Sequence, residues 1–156
     1  FRFQNLVRTR ATCLEGSLNL RLSAGIGLNL ALTTTRATIL ENPGDTSAIG
    51  NQVPGTPGFE WNARVDWRRG KWRAHLSLRE RGRRYIDAAN STFLLPYRLA
   101  EGGLTFPLAK GWLGTLAGKN LTNLNYAELE NFPAPGREWF FTIRWVSPAA
   151  AKEGAK

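Results

Sequence analysis

Apolar residues recur at every second position through most of this chain. Leu14, Gly16, Leu18, Leu20 and Leu22 share one side of a first segment, and Glu15, Ser17, Asn19 and Arg21 share the other. After a turn at Ser23-Ala24-Gly25, Ile26, Leu28, Leu30 and Leu32 alternate with Gly27, Asn29, Ala31 and Thr33. Period two is the signature of strands, whose side chains point alternately to the two faces of a sheet. A stretch from Glu41 to Gly58, rich in Gly and Pro, breaks the pattern and predicts a loop. Trp61, Ala63, Val65 and Trp67 then alternate with Asn62, Arg64, Asp66 and Arg68. Beyond the reversal Arg69-Gly70-Lys71, Trp72, Ala74, Leu76 and Leu78 oppose Arg73, His75, Ser77, Arg79, Arg81 and Arg83. A loop over Asp87 to Pro96 leads to Ala100, Gly102, Leu104 and Phe106 against Glu101, Gly103 and Thr105. Pro107 to Gly111 turns the chain into Trp112, Gly114, Leu116 and Gly118. A last loop, Asn123 to Gly136, precedes Trp139, Phe141, Ile143 and Trp145, which alternate with Glu138, Phe140, Thr142 and Arg144.

The pattern predicts an all-β, antiparallel meander of about seven long strands. Its connections alternate in length: short turns near Ala24, Gly70 and Lys110, long loops near Gly50, Ala89 and Asn131. Short turns at one edge and long loops at the other are the habit of outer-membrane barrels, with periplasmic turns and extracellular loops. Alternation alone fits a water-soluble sandwich with a buried apolar face equally well. Three features favour an apolar exterior and a polar lumen: the polar face is heavy in Arg, the Trp residues fall mainly near strand ends, and Gly16, Gly102, Gly114 and Gly118 would leave voids in a sealed core.

Composition narrows the picture. The net charge of +9 invites a nucleic-acid reading, yet Trp and Arg mostly occupy opposite faces, whereas nucleic-acid binding asks for both on one. One Cys, Cys13, and one His, His75, leave no internal disulfide, no multi-histidine metal site and no nucleophile–base set. Neither an enzyme nor a cofactor is expected. No Met and no signal-peptide pattern occur, so the chain reads as opening inside a longer barrel. Residues 1–146 form the barrel part; residues 147–156, small and polar, are expected to be a disordered tail.

The stretch Asn120-Leu121-Thr122-Asn123, followed by Pro133-Ala134-Pro135-Gly136-Arg137 and a closing strand bearing Trp139, Phe141 and Trp145, resembles the end of TonB-dependent receptors. Val53-Pro54-Gly55-Thr56-Pro57 and Arg10-Ala11-Thr12-Cys13-Leu14-Glu15-Gly16 resemble elements that precede or open strands in the same family. Barrels of this kind close with about 22 strands around a plugged lumen, so the chain would be an incomplete segment. The eleven residues after Trp145 depart from the family's habit of ending on its terminal aromatic.

The resemblance implies active uptake of a scarce ligand, a ferric siderophore or other iron chelate, with haem or cobalamin as alternatives. A passive porin-like or substrate-specific channel shares the same strand physics and stays open as a second reading. The implied partners are outer-membrane lipid, an N-terminal plug with the remaining strands, the TonB complex through the plug, and the barrel-assembly machinery through the last strand. The implied location is the outer membrane of a Gram-negative cell, long loops outside and C-terminus periplasmic. Arg79, Arg81, Arg83 and Arg84 could contact an anionic chelate, and Tyr85, Tyr126 and Phe132 could stack on it. The plainer expectation is a solvated lumen wall, its arginines paired with Glu60, Asp66 and Glu101 across strands.

Overall fold

The structure is a computed structural model that describes residues 8–146; the expected tail, 147–156, and the first residues lie outside the described residues. In chain order the strands are β1 (Arg8–Arg21), β2 (Ile26–Glu41), β3 (Phe59–Arg69), β4 (Trp72–Arg81), β5 (Arg84–Tyr85), β6 (Phe93–Leu94), β7 (Tyr97–Ala109), β8 (Trp112–Lys119), β9 (Ala127–Leu129), β10 (Phe132–Pro133) and β11 (Glu138–Trp145). Seven of them form one antiparallel sheet in the order β1-β2-β3-β4-β7-β8-β11. The small pairs β5–β6 and β9–β10 belong to the long connections. Among the described residues the sheet is open, with β1 and β11 at its edges.

The meander has the predicted alternation of connections. β1–β2, β3–β4 and β7–β8 join through a few residues, and the other sheet neighbours join through long loops. At the β3–β4 turn Arg69 pairs with Trp72, and Gly70 takes the left-handed φ of 59° that a primed hairpin turn demands of its first residue.

Register carries both faces across the sheet. Leu18, Leu30, Ala63, Leu78 and Ala100 make one continuous row, and Ile26, Trp67, Ala74, Leu104, Leu116 and Phe141 make another. On the opposite face Glu60, Arg81 and Tyr97 are neighbours, as are Asn29, Arg64, Ser77 and Glu101. The apolar rows are bare: Leu14 is 72% exposed, Leu76 50% and Phe141 59%. The hydrophobic cluster of buried residues is small, Ile39, Ala48 and Ala88 with Val53 packed against them, and Tyr97 and Leu99 are buried on the polar face of β7. Ile39 shares its face of β2 with Thr33 and Thr35, so this loop packing covers the polar face and leaves the apolar one open.

β2 runs to Glu41, eight residues past Thr33, the last position at which the sequence shows a clear alternation, and ends where the predicted loop begins. Its upper arm is held by backbone bonds from Ile39 N to Asn51 O and from Val53 N to Ala37 O, 2.9 and 3.0 Å. The following loop thereby becomes part of the sheet edge. It also grips the β5–β6 connection: Asn90 Nδ2 donates to Gln52 O (2.9 Å) and Gln52 N donates back to Asn90 Oδ1 (2.8 Å).

Three of the four glycines on the apolar face are covered by neighbouring side chains. Leu121 and Trp139 occupy the hollow over Gly118, where an added Cβ would stand 2.5 Å from Leu121 Cδ2 and 2.8 Å from Trp139 Cζ3. Leu121 also covers Gly102, while Leu108 and Phe106 cover Gly114. Gly16 alone of the four has nothing within 4 Å. The small residues on this face are therefore seats for larger neighbours, and they argue neither for nor against a sealed core.

Candidate functional site: a charged wall beneath two loops

The polar face gathers its charges where the strands meet the long loops. Arg81 ends β4 opposite Glu60 on one side and Tyr97 on the other. Its Nε lies 2.6 Å from Glu60 Oε1, a Coulombic contact, since the carboxylate oxygen stands off the N–H direction. Its Nη1 donates to Glu128 Oε2 at 2.9 Å. Glu128, carried in by the β9–β10 hairpin, also accepts from the Tyr97 hydroxyl. Arg84, 3% exposed, donates through Nη2 to the carbonyls of Glu128 (2.7 Å) and Ala127 (3.3 Å) and to Glu128 Oε2 (3.2 Å). Its guanidinium lies 5.8 Å over the Tyr97 ring, and its Nη1 has no acceptor among the described residues. Tyr126 packs on Tyr97 with ring centroids 4.6 Å apart.

Partial burial would raise the Glu128 carboxyl. The Tyr97 hydroxyl, the Arg81 hydrogen bond and charge, and the charge of Arg84 outweigh it and hold the group below the ordinary carboxylate range. Arg81 and Arg84 are thus structural cations that fasten a loop to the wall. Arg79 is different: it is exposed, has no ion-pair partner among the described residues, and borders two polar cavities of about 370 and 190 Å³. Tyr97 and Glu60 line the first; Tyr126, Glu101 and Lys119 line the second.

Other sequence-named residues are placed elsewhere. Arg83 stacks on Tyr85 (5.3 Å) and Phe93 (5.0 Å), away from the Glu128 cluster. Tyr126 and Phe132 meet at a third, more apolar cleft of about 640 Å³ with Phe93, Leu95 and Pro96. Two expected pairings take another form. Asp66 bonds along its own strand to Arg64 (2.8 Å) and across to Asn29 (3.3 Å), and Glu101 has no ion pair among the described residues. Asp66 was reached first by the residue two positions away on the same face. Glu128 was missed in the sequence, because a single acid in a loop carries no signal of a partner 47 residues distant.

The motif residues form a clasp at the base of the same loop. Asn120, buried and at φ 46°, donates from Nδ2 to the carbonyls of Leu124 (2.9 Å) and Pro135 (3.3 Å) and accepts Leu124 N–H at Oδ1 (2.9 Å). Leu121 N donates to Ala100 O at 2.8 Å. Asn123, at φ 54°, accepts the Arg137 N–H at 2.9 Å, and its Oδ1 comes within 2.9 Å of where a Cβ on Gly136 would stand. That approach is the reason for glycine there. Ala134 N bonds Tyr126 O, which seats Pro133 and Pro135 on either side of a fixed point, while Thr122 is exposed. Trp139, Phe141 and Trp145 lie on the apolar face of β11, opposite Gly118, Leu116 and Trp112.

An up-and-down sheet with one bare apolar face, and loops folded over a charged opposite face, defines a wall segment of a transmembrane β-barrel. The chain belongs to the family described as TonB dependent receptor-like, beta-barrel, whose model matches residues 1–124. That family is made of outer-membrane transport receptors, not enzymes. The match ends before the Pro133–Arg137 element and the closing strand. No curated protein sequence matches the chain. Among solved structures it is similar to the siderophore receptor PiuA from Acinetobacter baumannii, with a TM-score of 0.78 at 16% identity, covering 88% of this chain and 22% of that one. It is similar to the ferric yersiniabactin uptake receptor FyuA from Yersinia pestis (0.69, 16%, 87% and 22%). A third likeness is to the ferric-catecholate import receptor Fiu from K12 E. coli (0.72, 18%, 86% and 20%). The chain therefore spans about a fifth of the length of these receptors.

Proposed function

We propose that this chain is a wall segment of an outer-membrane receptor that takes up a scarce anionic chelate, most simply a ferric one, with energy delivered by the TonB complex through a plug in the lumen. The observation that carries the reading is where the loop packing falls: Ala48, Val53 and Ala88 pack against Ile39 on the polar side of the β2 arm, and the Leu and Trp rows stay bare. In water such a sheet would expose its apolar rows to solvent; in a bilayer those rows meet hydrocarbon. Trp67, Trp72, Trp112 and Trp145 near the short turns, with Trp61 and Trp139 toward the long-loop ends, suit two interfacial girdles. The short turns are then periplasmic and the long loops extracellular. The lipid, the plug with the remaining strands and the assembly machinery are partners of the whole receptor.

Arg79 is the arginine of this wall left to meet a cargo, with Tyr97, Tyr126 and Lys119 beside it. Arg81 and Arg84 hold the loop, and the Tyr126–Phe132 cleft offers a stacking surface at the mouth. An energised receptor is preferred to a passive channel because the family match favours it. The test is binding of ferric citrate, a small anionic iron chelate, to the full receptor in detergent. Arg79→Ala is expected to weaken binding at least tenfold with the melting temperature unchanged. Equal binding by the variant would remove Arg79 from the site. A protein that stays folded and monomeric without detergent would end the membrane reading.

A further inference from the structure

The outward face of β1 and β2 changes chemistry at a defined level. Reading upward, its paired residues are Leu20 with Leu28, Leu18 with Leu30, Gly16 with Leu32, Leu14 with Thr34, Thr12 with Arg36, and Arg10 with Thr38. Arg36 stands ten residues above Ile26, roughly 33 Å along the strand and about 25 Å along the membrane normal at the usual barrel tilt. That equals the height of the apolar band, so Arg36 sits at its upper margin and Arg10 one pair higher. The two are diagonal neighbours, with Cα atoms about 7–8 Å apart. Both are exposed, and neither has a carboxylate partner among the described residues. Two like charges at this spacing repel unless an anion lies between them.

Arg98 supplies the contrast. It is also on the apolar face, beside Trp61, but its Nη2 lies 2.5 Å from Glu80 and its guanidinium 5.6 Å over the Trp61 ring. That cation is neutralised in place. The loops pack on the opposite side of the β2 arm, against Ala37 and Ile39, and leave the Arg10–Arg36 side open.

We propose that Arg10 and Arg36 bind the phosphate headgroup of an anionic lipid in the leaflet on the long-loop side, an inference that rests on the membrane reading above. Two guanidiniums bracket one phosphate through paired N–H donors, and Leu14 and Leu32 below receive the acyl chains.

The test is native mass spectrometry of the full receptor in detergent with equal amounts of phosphatidylglycerol and phosphatidylcholine. The wild type should retain phosphatidylglycerol preferentially, and Arg10→Gln and Arg36→Gln should each lower that preference roughly fivefold. Lysine at both positions, which keeps the charge and loses the paired N–H geometry, should keep only part of it, and Arg98→Gln should leave it unchanged. Equal retention of the two lipids by wild type, or an unchanged ratio in the double glutamine variant, overturns the headgroup site alone. A dimer that the glutamine variants dissolve also overturns it, by assigning the patch to a second copy. A wild type that holds neither lipid and stays folded without detergent overturns the membrane reading itself.

Discussion

Glu128 Oε2 lies 2.9 Å from Arg81 Nη1, although 47 residues separate the two. The contact docks the β9–β10 hairpin on the wall; Glu60 approaches Arg81 from β3 and, among the described residues, makes no ion pair with the hairpin. Glu128→Gln keeps the shape and removes the charge. It is expected to speed amide hydrogen exchange across residues 124–134 about tenfold and to leave β3, β4 and β7 unchanged, because strand pairing there does not involve the carboxylate. Exchange followed by mass spectrometry separates the two regions.

The same docking has a predictable pH dependence. The folded-state pKa of Glu128 is depressed, so its contribution to docking is fully present above the unfolded value and is lost as pH falls through the lowered folded one. Loop protection should therefore hold through mildly acidic pH and decline only below the ordinary carboxylate range. Glu128→Gln should flatten that decline; an unchanged profile would point to another group.

Gly118 tests the seat for Leu121. A Cβ there meets Leu121 and Trp139 closer than real side chains approach. Gly118→Val should cost about 1–3 kcal/mol or more by overpacking, read from urea titration of the receptor in lipid. Shrinking the intruder in the double variant with Leu121→Ala should recover part of the loss.

Leu30 stands near the middle of the apolar band, in the row Leu18, Leu30, Ala63, Leu78 and Ala100. Leu30→Arg is expected to destabilise the receptor in lipid by roughly 2–4 kcal/mol. Asn29→Arg, one residue away on the polar face, should cost far less. Equal losses would mean that both faces share one environment.

Asn120→Ala removes one acceptor bond and two donor bonds at a buried site. It should cost about 1–3 kcal/mol, seen as a lower urea midpoint, and should loosen Pro135 more than β8.

The seven strands and their faces were legible because the rule of two holds over most of each strand. It stopped being legible above Thr34. There Ala37 and Ile39 occupy the polar side of β2, because a loop folds onto them, and the alternation that marks a membrane strand reverses. The Asn120–Asn123 and Pro135–Arg137 segments could be named from their order in the sequence. Their mechanics could not, since they depend on two left-handed asparagines and a close approach to Gly136. The division of labour among the arginines was also hidden: Arg79, Arg81 and Arg83 share one alternation, and only distant partners separate a fastener from an available charge.

The Asn120–Asn123 clasp has a consequence for how such a mouth can vary. By tying the end of β8 to the start of β11, it makes the register of those two strands independent of the chain between them. Residues inserted around Glu130 and Asn131 would change what greets a visitor at the entrance, yet the staves beneath would keep their alignment. The hinge of novelty and the hoop that keeps the cask together are thus set side by side in one connection.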